Sequence, residues 1–193
     1  MHQIFIIKDK IQIMSAILRQ SYLEKIERYL GKDTIIILTG QRRIGKSYIL
    51  RLFRDKVSKD ECANIIFIDK EKHEFDNIKT YKDLNAYIDA RRNKAKTNYI
   101  LVDEIQDIEE FEKSIRSYYE EPDIELVITG SNSRMLSSDL SSIIGGRYKD
   151  IYIQALSYEE FMLFHQFTDS DDTLAKYIQF GGLPGLVKMG LDE

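Results

Sequence analysis

Apolar residues fall into five short runs along the chain, separated by stretches with a helical rhythm. The runs are Ile35-Ile36-Ile37-Leu38, Ile65-Ile66-Phe67-Ile68, Tyr99-Ile100-Leu101-Val102, Leu126-Val127-Ile128 and Ile151-Tyr152-Ile153. Continuous rather than alternating, they predict strands of a parallel sheet covered on both faces. After the first run, Ile49, Leu50, Leu52 and Phe53 form a helical stripe. Thr80, with Asp83 three residues on, predicts a capped helix whose face carries Leu84, Tyr87 and Ile88. Ile108, Phe111, Ile115 and Tyr118 keep a helical spacing that Pro122 ends. Met135, Leu136, Leu140 and Ile143 mark a further helix stopped at Gly145-Gly146. A leading helix is predicted over Ile17 to Leu30, with Gly31 as its stop. Beyond the fifth run, Ser157-Tyr158-Glu159-Glu160 spells a capping box, and Phe161, Phe164 and Phe167 are spaced for one helix face. Asp171 to Phe180 gives a last short helix, ended by Gly181-Gly182. Strands alternating with helices predict an α/β fold with right-handed crossovers.

Composition narrows the class. The 193 residues are 43% hydrophobic and 31% charged, as in an ordinary globular domain. No apolar run approaches the ~20 residues that span a bilayer, and nothing at the N-terminus reads as a signal peptide, since Lys8, Asp9 and Lys10 break the apolar patch Ile4 to Ile7. The single cysteine, Cys62, excludes an internal disulfide, and it reads as a small packing residue. His2, His73 and His165 are isolated, without metal spacing. A cytoplasmic protein is the expectation. The net charge of −4 gives no support for nucleic-acid binding by the whole surface. The basic stretch Arg91-Arg92-Asn93-Lys94-Ala95-Lys96 sits at a predicted helix end, where cations suit the dipole.

One segment carries a specific chemistry. Gly40-Gln41-Arg42-Arg43-Ile44-Gly45-Lys46-Ser47, followed by Tyr48, fits G-x-x-x-x-G-K-[ST] between a predicted strand and a predicted helix. Gly40 and Gly45 let the backbone wrap so that its N–H groups converge on phosphate, and the helix start adds its positive dipole end. Lys46 is then placed for the β- and γ-phosphates and Ser47 for Mg²⁺. Arg42 and Arg43 fill the variable positions; solvent, a carboxylate, a phosphate or a neighbouring subunit are open as their partners.

Tyr99-Ile100-Leu101-Val102-Asp103-Glu104 is an apolar strand ending in two carboxylates, at the edge where open α/β sheets bind ligands. Asp103 fits a contact to Mg²⁺ and Glu104 a general base for water. A carboxylate directly after the metal-binding one favours water as acceptor, hence hydrolysis. The fourth run continues as Thr129-Gly130-Ser131-Asn132; Asn132, or else Ser131, is the candidate to sense the γ-phosphate or hold the water, unless this trio with Ser133 only caps a helix. Arg147, after Gly145-Gly146, is a candidate to reach a neighbouring subunit's γ-phosphate. No arginine follows it.

Taken together these residues resemble the AAA+ superfamily of ATPases. More narrowly they resemble a family of bacterial and archaeal ATP-binding proteins with GxRRxGKS/T, hhhhDEIQ, TGSxS, GR, LS-x-x-EF and GGLP segments. These stand here as Gly40 to Ser47, Tyr99 to Gln106, Thr129 to Ser133, Gly145 to Tyr148, Leu156 to Phe161 and Gly181 to Pro184. The resemblance implies a five-stranded AAA+ core over residues 32–156, preceded by a leading segment over 1–31 and followed by part of a helical lid over 157–193. It implies ATP and Mg²⁺ as ligands, catalytic roles for Lys46, Glu104, Asn132 and Arg147, and a homo-oligomer in which Arg147 acts in trans. It also implies a C-terminal domain, with DNA as a candidate partner, that this chain is expected to lack. Adenine over guanine rests on the resemblance; no N-K-x-D segment is present. Three functions stay open: a motor or remodeller, a nucleotide-dependent switch with little turnover, and the motor part of a DNA-processing protein.

Overall fold

The computed structural model describes residues 19–130 and 145–184. Within them the elements are α1 (Gln20–Glu27), β1 (Ile35–Thr39), α2 (Lys46–Val57), β2 (Ala63–Asp69), α3 (Tyr81–Asp89), β3 (Thr97–Asp103), α4 (Phe111–Tyr118), β4 (Ile124–Thr129), β5 (Tyr148–Tyr152), α5 (Tyr158–His165) and α6 (Asp171–Phe180). The apolar start Ile4 to Ile13, Ser131, Asn132 and the helix expected over Met135 to Ile143 lie outside the described residues.

The strands form one sheet in the order β2-β3-β4-β1-β5, and every neighbouring pair is parallel. Alternation along β1 divides the core between the two faces. Ile35 and Ile37 join Ile66, Ile68, Ile100, Val102 and Ile128 under α3 and α4. Ile36 and Leu38 join Leu101, Val127 and Ile151 under α1 and α2. The two-sided burial explains why the runs are continuously apolar: each side chain has a helix layer to meet, whichever way it points.

Two helix starts are chemically explicit. Thr80 accepts the Asp83 N–H and the Asp83 carboxylate accepts the Thr80 N–H; Ser157 and Glu160 repeat the arrangement at α5. Each satisfies two amide groups that a helix start leaves open.

Several boundaries differ from the sequence expectation. Among the described residues of its predicted span the leading helix occupies Gln20–Glu27, and residues 28–30 turn before Gly31, at φ +69°. The strand β5 runs over Tyr148–Tyr152, so Ile153 falls just outside it. Ile108 is buried but extended, with φ −107° and ψ 121°, and α4 begins at Phe111. Phe167 lies past α5, because Gln166 turns left-handed at φ +59°; the reversal lays Phe167 back on Phe161, ring centroids 5.9 Å apart. Cys62 is exposed rather than packed.

The basic stretch proves to be a clamp at the start of β3. Arg92 donates to Asp123 and Glu121, and stacking over the Tyr87 ring places Arg91 at 3.6 Å from its centroid. Asn98, fully buried, bonds Asn93, Lys96 and Asp123 beneath them. In α5, the His165 ring stacks on Phe167 and faces Phe161; burial pushes its pKa down, and its Nε2 is buried without a hydrogen-bond partner. Leu156 N–H donates to the Gly182 carbonyl at 2.7 Å, tying the turn after α6 to the segment after β5.

Candidate functional site

Four strands end at one edge of the sheet in polar residues that are all fully buried: Thr39 of β1, Asp69 of β2, Asp103 of β3 and Thr129 of β4. Apolar strands that finish in buried polar groups mark the ligand-facing edge of an open α/β sheet.

The loop from Gly40 to Gly45 leaves β1 at this edge and opens α2. Gly40 is required on two counts: its φ is +142°, and a Cβ there would lie 2.6 Å from the Ile153 carbonyl oxygen. Gly45, at φ +102°, serves as the N-cap of α2. Between them only Ile44 turns inward, 2% exposed, and it pins the loop on the core. Gln41, Arg42 and Arg43 are exposed, Arg43 in left-handed backbone at φ +65°. Ser47 and Tyr48 are half-buried in the first turn of α2. Lys46 is buried, and its Nζ donates to the carbonyls of Gly40 at 3.1 Å and Gln41 at 3.2 Å.

The second wall of the site is the end of β3. The Thr129 hydroxyl, arriving from β4, donates to Asp103 Oδ1 and accepts the Glu104 N–H at 3.0 Å. Burial pushes the Asp103 carboxyl up, while the hydroxyls of Thr129 and Ser47 favour its charged form. Its other oxygen, Oδ2, is buried with no hydrogen-bond partner among the described residues. Glu104 follows in left-handed backbone, φ 52° and ψ 53°, and its Oε1 lies 3.9 Å from Lys46 Nζ.

The structure therefore brings Gly40 to Ser47, Asp103 and Glu104 to one place. It sets Arg147 elsewhere. The Arg147 carbonyl accepts the N–H of Ile35, the first residue of β1, so Arg147 sits at the opposite edge of the sheet from the phosphate loop. Its exposed guanidinium lies 3.7 Å from Glu120. Asn132 lies outside the described residues.

Three residues of the site are given no role by the sequence. Thr129 meets Asp103 and Glu104 only through strand order. Asp69 pairs with Asp103 in register across β2 and β3, accepts from Arg51 of α2 at 3.1 Å and accepts the Glu71 N–H. Arg19 is buried at the head of α1 and donates to the Gln154 carbonyl at 3.2 Å, beside the Ile153 that abuts Gly40.

A parallel sheet in this order, with a phosphate loop after β1 and Asp-Glu at the end of β3, is the α/β fold of a P-loop nucleoside triphosphatase of AAA+ type. A family model described as an AAA domain matches residues 32–162, and the chain belongs to that family. It is 32% identical over 177 residues to an uncharacterized protein of Haemophilus influenzae, covering 88% of this chain and 44% of that one. It is 31% identical over 170 residues to an uncharacterized protein of Methanocaldococcus jannaschii, covering 82% and 37%. The chain thus spans less than half the length of the curated relatives it matches. Among solved structures it is similar to Cdc6p of Pyrobaculum aerophilum, with TM-score 0.58 and 15% identity over 85% of this chain and 55% of that one. It is also similar to the Saccharomyces cerevisiae Hsp104:casein complex, with TM-score 0.60 and 14% identity over 90% and 37%. AMPPCP-bound DnaA of Aquifex aeolicus gives TM-score 0.54 and 12% identity over 90% and 60%. These likenesses concern the fold. Among the described residues no helix is long and apolar enough to cross a membrane, and no group of His, Cys, Asp or Glu forms a metal cluster by itself.

Proposed function

We propose that this domain binds ATP with Mg²⁺ and hydrolyses it, using the energy to change the shape of itself or a partner. The observation that carries the reading is the meeting of Lys46 with Asp103 and Glu104 at the sheet edge, with Asp103 Oδ2 buried and unpartnered. A buried carboxylate oxygen without a donor fits a cation-bound water or the cation itself, so Ser47 and Asp103 are the residues to hold Mg²⁺. When bound, Mg²⁺ neutralises charge on the β- and γ-phosphates. The backbone N–H groups of the loop, Gly40 to Gly45, and the start of α2 would cradle the phosphates, with Lys46 on the γ-phosphate. In hydrolysis a water oxygen bonds the γ-phosphorus while the bond from that phosphorus to the β–γ bridging oxygen breaks. Glu104 takes the water's proton and later releases it to solvent, and ADP leaves with the bridging oxygen's electron pair. ATP as the ligand is supported by the family and by the AMPPCP seen in a DnaA of the same fold.

Residues 32–156 form the nucleotide-binding core in this reading and α5 with α6 the beginning of a lid. Asn132 is the γ-phosphate sensor. The distance of Arg147 from its own site supports a role in trans, in a homo-oligomer. The same observation also favours a second reading, a nucleotide-dependent switch with little turnover by the isolated chain, because a site completed in trans is incomplete in a single copy. DNA remains a candidate partner through regions present in the longer relatives, and the cytoplasm is the expected compartment.

Steady-state phosphate release with Mg-ATP over a range of protein concentrations tests the reading. The wild type turns over, at a rate per molecule that rises with concentration. Glu104→Gln keeps ATP binding and loses at least about 100-fold in turnover. Full turnover that ignores concentration removes the role in trans; ATP binding without turnover supports the switch.

A further inference from the structure

Glu104 is fastened along its backbone, while its side chain has several bonds left to rotate. Its N–H is held by Thr129, its carbonyl accepts the Asp107 N–H at 3.1 Å, and the following turn is anchored by buried Ile105. That turn, Ile105–Asp107, is a single 3-10 turn. It carries the side chain of Gln106 back over its neighbour, so that Gln106 Nε2 donates to Glu104 Oε2 at 2.5 Å. The two carboxylate oxygens thus face different groups: Oε2 meets the Gln106 amide, and Oε1 is the one near Lys46.

The chemistry of the donor is informative. An ionised carboxylate only accepts hydrogen bonds, so the amide must present its nitrogen to it. A neutral amide orients the carboxylate without bringing a second cation into competition with Lys46. Rotation about the Glu104 side chain would move Oε1 by more than an ångström, and misplacement on that scale is costly to a reaction that depends on alignment.

We propose that Gln106 is the positioning residue for the general base: by holding Oε2 it keeps Oε1 turned to the phosphate-loop side, where the attacking water has to lie. The inference rests on the hydrolytic reading of the site. In that reading Gln106 acts on the reaction through Glu104, not by binding the nucleotide itself.

Two variants test it beside the wild type. Gln106→Met keeps the length of the side chain and removes the donor; Gln106→Glu keeps the shape and sets two carboxylates against each other. Gln106 is half-buried, and neither variant is expected to change the unfolding midpoint. The expected result is a fall in kcat of about 10- to 100-fold for Gln106→Met and at least as much for Gln106→Glu, with KM and Mg-ATP binding within about two-fold of wild type. A kcat for Gln106→Met equal to or above the wild type overturns the positioning role alone. So does a rise in KM at unchanged kcat, which would make Gln106 a binding residue, or a loss of activity that tracks a loss of folding. A wild type that binds Mg-ATP and never turns over overturns the hydrolytic reading and this inference together.

Discussion

Thr129→Val is nearly isosteric, so it removes two hydrogen bonds without opening a cavity. The lost hydroxyl donates to Asp103 and accepts from the Glu104 N–H, at a fully buried position. Stranding a buried N–H costs about 1–3 kcal/mol, and a bond to a charged group is worth about 1.5–3 kcal/mol. Their sum is an upper bound. Glu104 sits in left-handed backbone, which costs a non-glycine residue about 1–2 kcal/mol, and that strain is relieved once its N–H is released. The expected net loss is about 2–4 kcal/mol. Thr129→Ser keeps the hydroxyl, loses one methyl and should cost about 1 kcal/mol. Urea unfolding separates the two: with a slope of about 1–3 kcal/mol per molar, the valine variant's midpoint falls by about 1–2 M and the serine variant's by less than half of that. Burial already pushes the Asp103 carboxyl up and the Thr129 hydroxyl opposes the push, so the valine variant should also shift Asp103 further toward its protonated form. A valine midpoint equal to the wild type, or equal losses in both variants, would refute the claim that this hydroxyl ties β3 to β4.

His165 should make stability depend on pH. Burial lowers its folded pKa, so the unfolded chain takes up the proton first; stability is full above the ordinary histidine pKa of about 6.5 and declines as pH falls below it. Thermal melts of wild type and His165→Phe at about pH 7.5 and about pH 5.5 should show the larger acid loss in the wild type, and parallel losses would rule His165 out as the cause. Gly182→Ala places a Cβ 2.2 Å from the Leu156 carbonyl oxygen, a backbone atom that cannot rotate away. It should loosen α6 by about 1–3 kcal/mol, read as faster amide exchange in Asp171–Phe180 with the sheet unchanged.

Much of this fold is legible in the chain because its chemistry is local. Runs such as Ile35 to Leu38 announce strands since both sheet faces are covered, and Thr80 with Asp83 or Ser157 with Glu160 spell their caps within four residues. The strand β5 is harder: Tyr148, Lys149 and Asp150 belong to it, but it lies at the sheet edge, where polar side chains reach solvent, and only Ile151 is buried. Ile108 keeps helical spacing with Phe111 by burial alone, although its own backbone is extended. At the site, Lys46, Ser47, Asp103 and Glu104 could be named because the loop and the strand end are contiguous segments. Thr129 could not, since its partners stand on another strand and only the pairing of β3 with β4 brings them into contact. Arg147 reads from its motif as reaching a neighbouring subunit, and the register of β1 with β5 sets it at the end of the sheet away from its own phosphate loop.

The bonds from Lys46 to the Gly40 and Gln41 carbonyls have a consequence for selectivity among anions. A phosphate arriving at the loop does not simply add contacts to an idle ammonium group; it must exchange its own oxygens for two peptide carbonyls already in place. The gain is a difference, and it grows with the charge density of the incoming oxygen. A chloride or a singly charged carboxylate gains little from such an exchange, whereas a polyphosphate gains at several points at once. The lysine, meanwhile, is buried against its own loop, so much of the roughly 2 kcal/mol of rotamer freedom that such a side chain loses belongs to folding. The loop is in this sense a filter: its lysine is held by two carbonyls of the loop itself, which an incoming oxygen has to outcompete.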